Sequence, residues 1–133
     1  MLIDVSKYVG IPYRPGGRGP DGVDCYGLIW LFYQQELGIA LPRYQGEPDM
    51  AEMIEVSRVV HGIEEGSGFW QEIPLGDAML GDVVDLSVMG GFHVGIYVPR
   101  RKMLHCMLKT SSVIEDLGRS KWSKRFRGCF RRA

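Results

Sequence analysis

The chain has 133 residues, 45% of them apolar and 24% charged, with a formal net charge of zero. A chain of that size can bury a core without staples, the apolar share excludes wholesale disorder, and the balanced charge excludes a globally basic nucleic-acid binder. No apolar run approaches the roughly 18 residues of a membrane-spanning helix, and Met1–Lys7 lacks the basic flank and apolar stretch of a signal peptide, so export by that route is not expected.

Residues 5–9 read as a short helical or extended lead-in. Residues 10–23 hold three prolines and five glycines, which predicts one long loop. Asp24 is a good N-cap for a helix over about 25–37, and Gly38 is its natural stop. Leu28, Ile29, Trp30, Leu31, Phe32 and Tyr33 make that helix apolar almost all round, so it belongs inside the domain. A second helix is expected within 49–65, with Met50, Met53, Ile54 and Val60 on one face and Gly66-Ser67-Gly68 as its end. Short β-rich runs then follow at 69–73, 82–88, 92–98, 102–108, 111–116 and 126–131, most of them separated by turn signals. Helices first and strands after, with no linker between them, predict a single α+β domain over residues 1–133 with an antiparallel sheet.

Charge is unevenly placed. Residues 1–118 carry a net charge of −7, whereas residues 119–133 carry seven basic side chains and no acidic one. That end reads as a solvated terminal strand or as a contact for an anionic partner. Alternation predicts Phe126, Gly128 and Phe130 on one face of the last strand, packed on the core, and Arg127, Cys129 and Arg131 on the other.

Three cysteines, an odd number with no close pair, make a poor disulfide framework. Cys25 sits in the first turn of the apolar helix, where backbone N–H groups favour a thiolate. It is either a nucleophile or a structural thiol. A nucleophilic cysteine needs a base. His61 falls on the second predicted helix and reads as a surface histidine. His93 and His105 fall on neighbouring predicted strands, and a turn at residues 100–101 folds them into one hairpin. There one imidazole can orient the other toward the thiol, the nucleophile–base–orienter arrangement. Packing, or a zinc site formed by His93, His105 and Cys106 or Cys129, is the alternative. The absence of any Cys-x2–4-Cys pair speaks against zinc.

Taken in order, four segments resemble the NlpC/P60 cell-wall peptidases. They are Gly10-Ile11-Pro12-Tyr13 through Val23-Asp24-Cys25-Tyr26-Gly27-Leu28, Leu80-Gly81-Asp82-Val83-Val84, His93-Val94-Gly95-Ile96-Tyr97-Val98, and Met103-Leu104-His105. The resemblance covers residues 8 to about 131. It implies a papain-like α+β fold with the cysteine helix packed on an antiparallel sheet. It also implies Cys25 as nucleophile, His93 as base and His105 as orienting residue, with Tyr13, Asp24 and Tyr26 lining the oxyanion and substrate site. No metal or cofactor is implied. The implied substrate is a peptidoglycan stem peptide cut at a D-γ-glutamyl–diaminopimelate bond. Tyr26, where most cell-wall members have serine, resembles the tail-associated members of bacteriophages and prophages. That implies phage tail proteins as partners, synthesis in the cytoplasm and action at the host cell wall. The alternatives are a non-catalytic tail-tip component that keeps the fold, and an amidase or acyltransferase on the same Cys-His core.

Overall fold

Glycine and proline leave the first 23 residues little regular structure. The computed structural model shows there a 3₁₀ turn, Val5–Tyr8, and a small antiparallel ribbon of β1 (Arg18–Gly19) and β2 (Gly22–Val23). The ribbon departs from the expected structureless loop because Pro20 and Asp21, flanked by glycines, close a tight turn. The structure describes residues 3–41, 43, 70–88 and 91–132. The expected helix at 49–65, with His61 and the glycines that end it, lies outside them.

Helix α1 spans Cys25–Phe32 and continues as a wider π-helical turn, Tyr33–Leu37. It begins where expected, because the Asp24 carboxylate accepts the Gly27 amide at 2.6 Å. It ends at Gly38, whose φ of +67° suits a residue without a side chain. Tyr26, Leu28, Ile29, Leu31, Phe32 and Tyr33 are all buried, so the helix is enclosed rather than laid on the surface.

The enclosing wall is a six-stranded antiparallel sheet. Its strands are β3 (Trp70–Ile73), β4 (Val83–Val88), β5 (Gly91–Val98), β6 (Lys102–His105), β7 (Val113–Asp116) and β8 (Phe126–Arg132), in the order β3-β8-β4-β5-β6-β7. The β5–β6 hairpin has the expected register, with Ile96 opposite Leu104 and Val98 opposite Lys102. Val83, Val94, Ile96, Val98, Leu104 and Phe130 pack in one core with α1. Val84, Leu86, Tyr97 and Met103 form a second core on the other face, covered by Leu117, Phe126 and Trp122 of the short helix α2 (Ser120–Ser123). This is the expected α+β architecture, a helix packed on an antiparallel sheet.

The basic end differs from the reading of its sequence. Strand β8 lies inside the sheet, between β3 and β4, and is not a solvated terminal strand. Its register with β4 slips: Asp85 faces Gly128 but Leu86 faces Phe126. The extra residue, Arg127, inverts the alternation. Phe130 therefore joins the α1 core and Phe126 the opposite one. Arg131 does not simply face solvent. Its Nε and Nη2 donate to the Asp82 carboxylate at 3.1 and 2.9 Å, and Arg132 lies over the Trp70 ring. Cys129, opposite Val84, is fully buried.

Truncating Phe130 to alanine should cost about 3–5 kcal/mol, the usual range for a buried aromatic, read as a lower denaturation midpoint in urea. Arg131→Glu should also lower the melting temperature, because it sets a second carboxylate against the nearly buried Asp82. An unchanged melting temperature for Arg131→Glu would show that the Asp82 pair does not hold β8 in place.

Candidate active site

The glycine-rich loop is fixed from two sides. Ser112, fully buried, accepts the Ile11 amide on its hydroxyl at 2.9 Å and donates to the Tyr8 carbonyl at 2.5 Å. Backbone bonds Gly10 N–H to Ser112 O and Tyr13 N–H to Thr110 O, both at 2.8 Å, extend this seam. On the other side the loop lies against α1. A Cβ at Gly27 would stand 1.9 Å from the Gly17 carbonyl oxygen, so only glycine in the first helical turn permits that approach.

Asp24 is the knot between loop and helix. One carboxylate oxygen accepts both the Gly27 amide and Arg18 Nη1, the latter at 2.9 Å, and the other accepts the Gly16 amide at 3.2 Å. The Arg18 guanidinium also covers the Tyr26 ring, 5.2 Å from its centre. Asp24 is 2% exposed and Tyr26 is part of the main core. The resemblance implies that both line the substrate site. In the structure they form, with Arg18, an internal brace of the loop. Arg18 was not singled out in the sequence, because an arginine in a glycine-rich loop reads as solvated until its buried carboxylate partner is known.

This brace leaves Cys25, the first residue of α1, partly exposed at the surface of the core. Its thiol lies against the backbone amide of Val94, the residue that follows His93 on β5. Access to that edge comes from the sheet. Pairing of β6 with β5 stops at Leu104–Ile96, so among the described residues no strand accompanies β5 on that side from residue 95 backwards. Alternation turns His93 to the face of Leu86, its partner on β4, away from the α1 core. The helix start therefore meets the histidine strand at its open edge.

His93 and His105 are joined directly: His93 Nε2 lies 2.8 Å from His105 Nδ1. The chain continues beyond the expected pair. His105 Nε2 lies 2.9 Å from Glu115 Oε1 on β7, and Glu115 Oε2 accepts Trp122 Nε1–H at 3.0 Å. Trp122 stacks on His93 with its ring centre 6.3 Å away and meets His105 edge-on at 5.0 Å. Gly95 makes room for this cluster, since a Cβ there would press on His105 Cβ at 3.2 Å.

Electrostatics set the resting protonation. Burial, and then the Asp24 carboxylate, push the Cys25 thiol up to about 12 against the opposing pull of the Val94 and Tyr26 amides. Burial, and then His105, push the His93 imidazole down to about 3. The resting pair is thus neutral thiol and neutral imidazole, not the thiolate that the helix start alone suggested. Tyr13 is half-buried, and burial, Asp24, Cys25 and Cys106 push its phenol up to about 12, so it stays a hydrogen-bond donor. Burial pushes the Glu115 carboxyl up, but the Trp122 and His105 donors and the nearby Lys121 outweigh it and hold it below its ordinary value.

Of the residues picked from sequence, Tyr13, Asp24 and Cys25 lie together at the helix start, His93 and His105 lie together on the sheet, and the Val94 backbone amide joins the two groups at Cys25. Glu115 and Trp122 were missed. A lone glutamate on an edge strand and a tryptophan in a basic segment carry no pattern that points to a histidine ten residues away. The zinc alternative has no counterpart among the described residues: the facing nitrogens of His93 and His105 are spent on each other, Cys106 points to the Ile11 and Val23 carbonyls, and no group of three or more ligating side chains converges. Nor is any described helix long and apolar enough to cross a membrane.

The chain has counterparts among known proteins. The family model described as "NlpC/P60 family" matches residues 10–131. The chain is 28% identical over 132 residues to the Gamma-DL-glutamyl hydrolase of Bacillus subtilis, covering 96% of this chain and 28% of that protein. It is 25% identical over 128 residues to the Murein DD-endopeptidase MepS/Murein LD-carboxypeptidase of Escherichia coli K12, covering 95% of this chain and 58% of that one. It thus spans less than two-thirds of the length of these curated relatives. Among solved structures it resembles a Staphylococcus aureus protein of the NLP/P60 family, similar to a lipoprotein, with a TM-score of 0.66 at 26% identity over 96% of this chain and 38% of the other. It also shares its fold with Mycobacterium tuberculosis RipD, a non-catalytic NlpC/p60 domain protein adapted to peptidoglycan binding, with a TM-score of 0.57 at 19% identity over 94% and 88% of the two chains.

Two measurements follow from the site. Iodoacetamide should modify Cys25 before Cys106 and Cys129, which are fully buried, and the rate should keep rising with pH above neutrality because the resting thiol is protonated. A rate already level from pH 5 upward would mean a resting thiolate–imidazolium pair. Stability should fall as pH drops from 6.5, the ordinary imidazole value, toward about 3, because in that window the unfolded chain binds a proton that buried His93 refuses. His93→Gln should flatten this part of the stability–pH curve.

Proposed function

The chain belongs to the NlpC/P60 family, and on that premise we propose that it is a cysteine peptidase that hydrolyses an amide bond in peptidoglycan stem peptides, of the D-γ-glutamyl–diaminopimelate type. The observations that carry the reading are the hydrogen-bonded line from His93 through His105 to Glu115, and a partly exposed cysteine at a helix start whose thiol lies against the backbone amide of Val94, the residue after His93.

The chemistry follows from the neutral resting pair. As Cys25 Sγ attacks the amide carbonyl, its proton passes to His93, so charge separates only when the reaction needs it. The oxyanion faces the Cys25 backbone N–H and the protonated Tyr13 hydroxyl. A well-placed donor of this kind contributes roughly 3–4 kcal/mol. The new imidazolium donates through Nε2 to His105, whose far nitrogen is held by the Glu115 carboxylate, and then gives its other proton to the leaving amine. Neutral His93 next activates water, which releases the acyl group from Cys25.

We further propose that the protein works with a phage or prophage tail at the host cell wall. The support is Tyr26 beside the nucleophile. Its ring is the surface on which Arg18 rests, so the residue that departs from the cell-wall pattern is built into the loop brace.

The test is mass spectrometry of purified peptidoglycan fragments incubated with the protein. The expected products gain one water at a stem-peptide amide bond. Cys25→Ala should abolish them without changing the melting temperature, and His93→Ala should be nearly as inactive, since base and nucleophile act as a unit. Fragments that are bound but left intact would favour a non-catalytic role of the RipD kind. Products cut at another bond would favour an amidase or acyltransferase on the same core.

A further inference from the structure

We infer that Glu115 is a positioning residue that fixes the proton on each imidazole of the site, so that the nitrogen of His93 left for Cys25 is an acceptor. The inference rests on the reading of Cys25 and His93 as nucleophile and base, and it extends the expected set of three residues to a fourth on a different strand.

The argument is one of donors and acceptors. An ionised carboxylate only accepts hydrogen bonds. Glu115 is held ionised by its neighbours, and its two oxygens meet two different groups: Trp122 Nε1–H, which can only donate, and His105 Nε2. His105 Nε2 must therefore carry a proton. A neutral imidazole has one N–H, so His105 Nδ1 is an acceptor. The atom 2.8 Å from it, His93 Nε2, must then be the donor. His93 in turn has its Nδ1 unprotonated, which is what a base for the thiol requires. Reversing the proton on Glu115's side reverses every step: a donor in its place puts N–H on His93 Nδ1, and the imidazole can no longer take the thiol proton. Neither histidine decides its own tautomer, since each could serve its neighbour in either sense. The asymmetry enters the line only at Glu115.

Trp122 makes the arrangement sensitive to a single atom. Because it occupies Oε2 with a donor, Glu115→Gln cannot satisfy both partners. If the amide oxygen serves Trp122, the NH₂ group faces His105 Nε2 and inverts both tautomers. If the oxygen serves His105, two donors face each other at Trp122. Glu115→Asp is shorter but still accepts only. A packing role would rank these variants the other way, because glutamine keeps the shape of glutamate and aspartate does not.

The experiment reads the ring nitrogens directly, by ¹⁵N-resolved NMR of the imidazoles in the folded protein, beside peptidoglycan hydrolysis by the same samples. Wild type and Glu115→Asp should carry Nε2–H on both His93 and His105. Glu115→Gln should move both protons to Nδ1 and slow hydrolysis by roughly 100-fold, the lower range of what a general base supplies. Wild-type rings with Nδ1–H on either histidine would overturn the inference whatever the variants do. So would Glu115→Gln with wild-type tautomers and rates, or Glu115→Asp inverted like glutamine. If Glu115→Gln fails to fold, the wild-type and Glu115→Asp spectra decide. The NMR result does not depend on turnover, so a wild type with the expected tautomers but no hydrolysis would sink the proposed activity and leave the positioning role standing.

Discussion

Everything in this molecule follows from the burial of a helix that has no polar side for most of its length. A helix with one apolar stripe can rest on a sheet in several orientations. One that must hide Tyr26, Leu28, Ile29, Leu31, Phe32 and Tyr33 together has to be enclosed. The sheet supplies one wall, the N-terminal turn with Tyr8 and Ile11 another. Enclosure fixes the axis of α1, and the axis fixes where its first residue emerges. Cys25 is delivered to the edge of β5 by packing, and no contact of its own is required to bring it there.

Among the described residues the edge is open because two neighbouring strands part company. His93 lies on the face of β5 opposite the α1 core, so a fully paired sheet would separate it from Cys25. Where β6 ends at His105 and the chain turns into the 106–112 loop, the pairing of β5 on that side ends among the described residues, and the Cys25 thiol reaches the backbone amide of Val94, next to His93. His105, opposite Gly95, reaches diagonally to His93, and the adjoining strand β7 brings Glu115 to its far nitrogen. The departing loop returns to clamp Ile11 through Ser112 and Tyr13 through the Thr110 carbonyl. On the proposed reading, one strand end thus sets the nucleophile's access, the base's partner and the seat of the oxyanion donor.

Burial also decides how the chemistry is held in reserve. A helix start lowers a thiol by its amide dipoles, but here desolvation and the Asp24 carboxylate oppose it and prevail. The carboxylate cannot be dispensed with, because it caps α1 and anchors Arg18, and through Arg18 the glycine loop. The structural requirement at the helix start and the electrostatic preference of the thiol therefore conflict, and the neutral resting pair is the compromise. On the proposed mechanism, the line through His105 to Glu115 then stabilises the imidazolium when it forms, at a site that disfavours it beforehand.

The sequence by itself determined the elements that depend on neighbours in the chain. Asp24 before an apolar run and Gly38 after it set the ends of the cysteine helix, period-two runs set most of the strands, and Pro99-Arg100-Arg101 set the hairpin that carries both histidines, because capping, alternation and turn chemistry act over a few residues. Cys25, His93 and His105 were legible for the same reason, each lying at a recognisable place in such an element. Tertiary structure alone decided what depends on a partner distant in sequence. A one-residue bulge against β4 sent Phe126 and Phe130 to opposite faces. Asp82 claimed Arg131 from the start of the neighbouring strand β4, and Arg18 became the buried counter-ion of Asp24 instead of a solvated loop charge. Glu115 and Trp122 entered the site only because β7 and α2 fold back beside β6. A side chain's local pattern states which way it points, and the strand or helix packed opposite determines what it meets there.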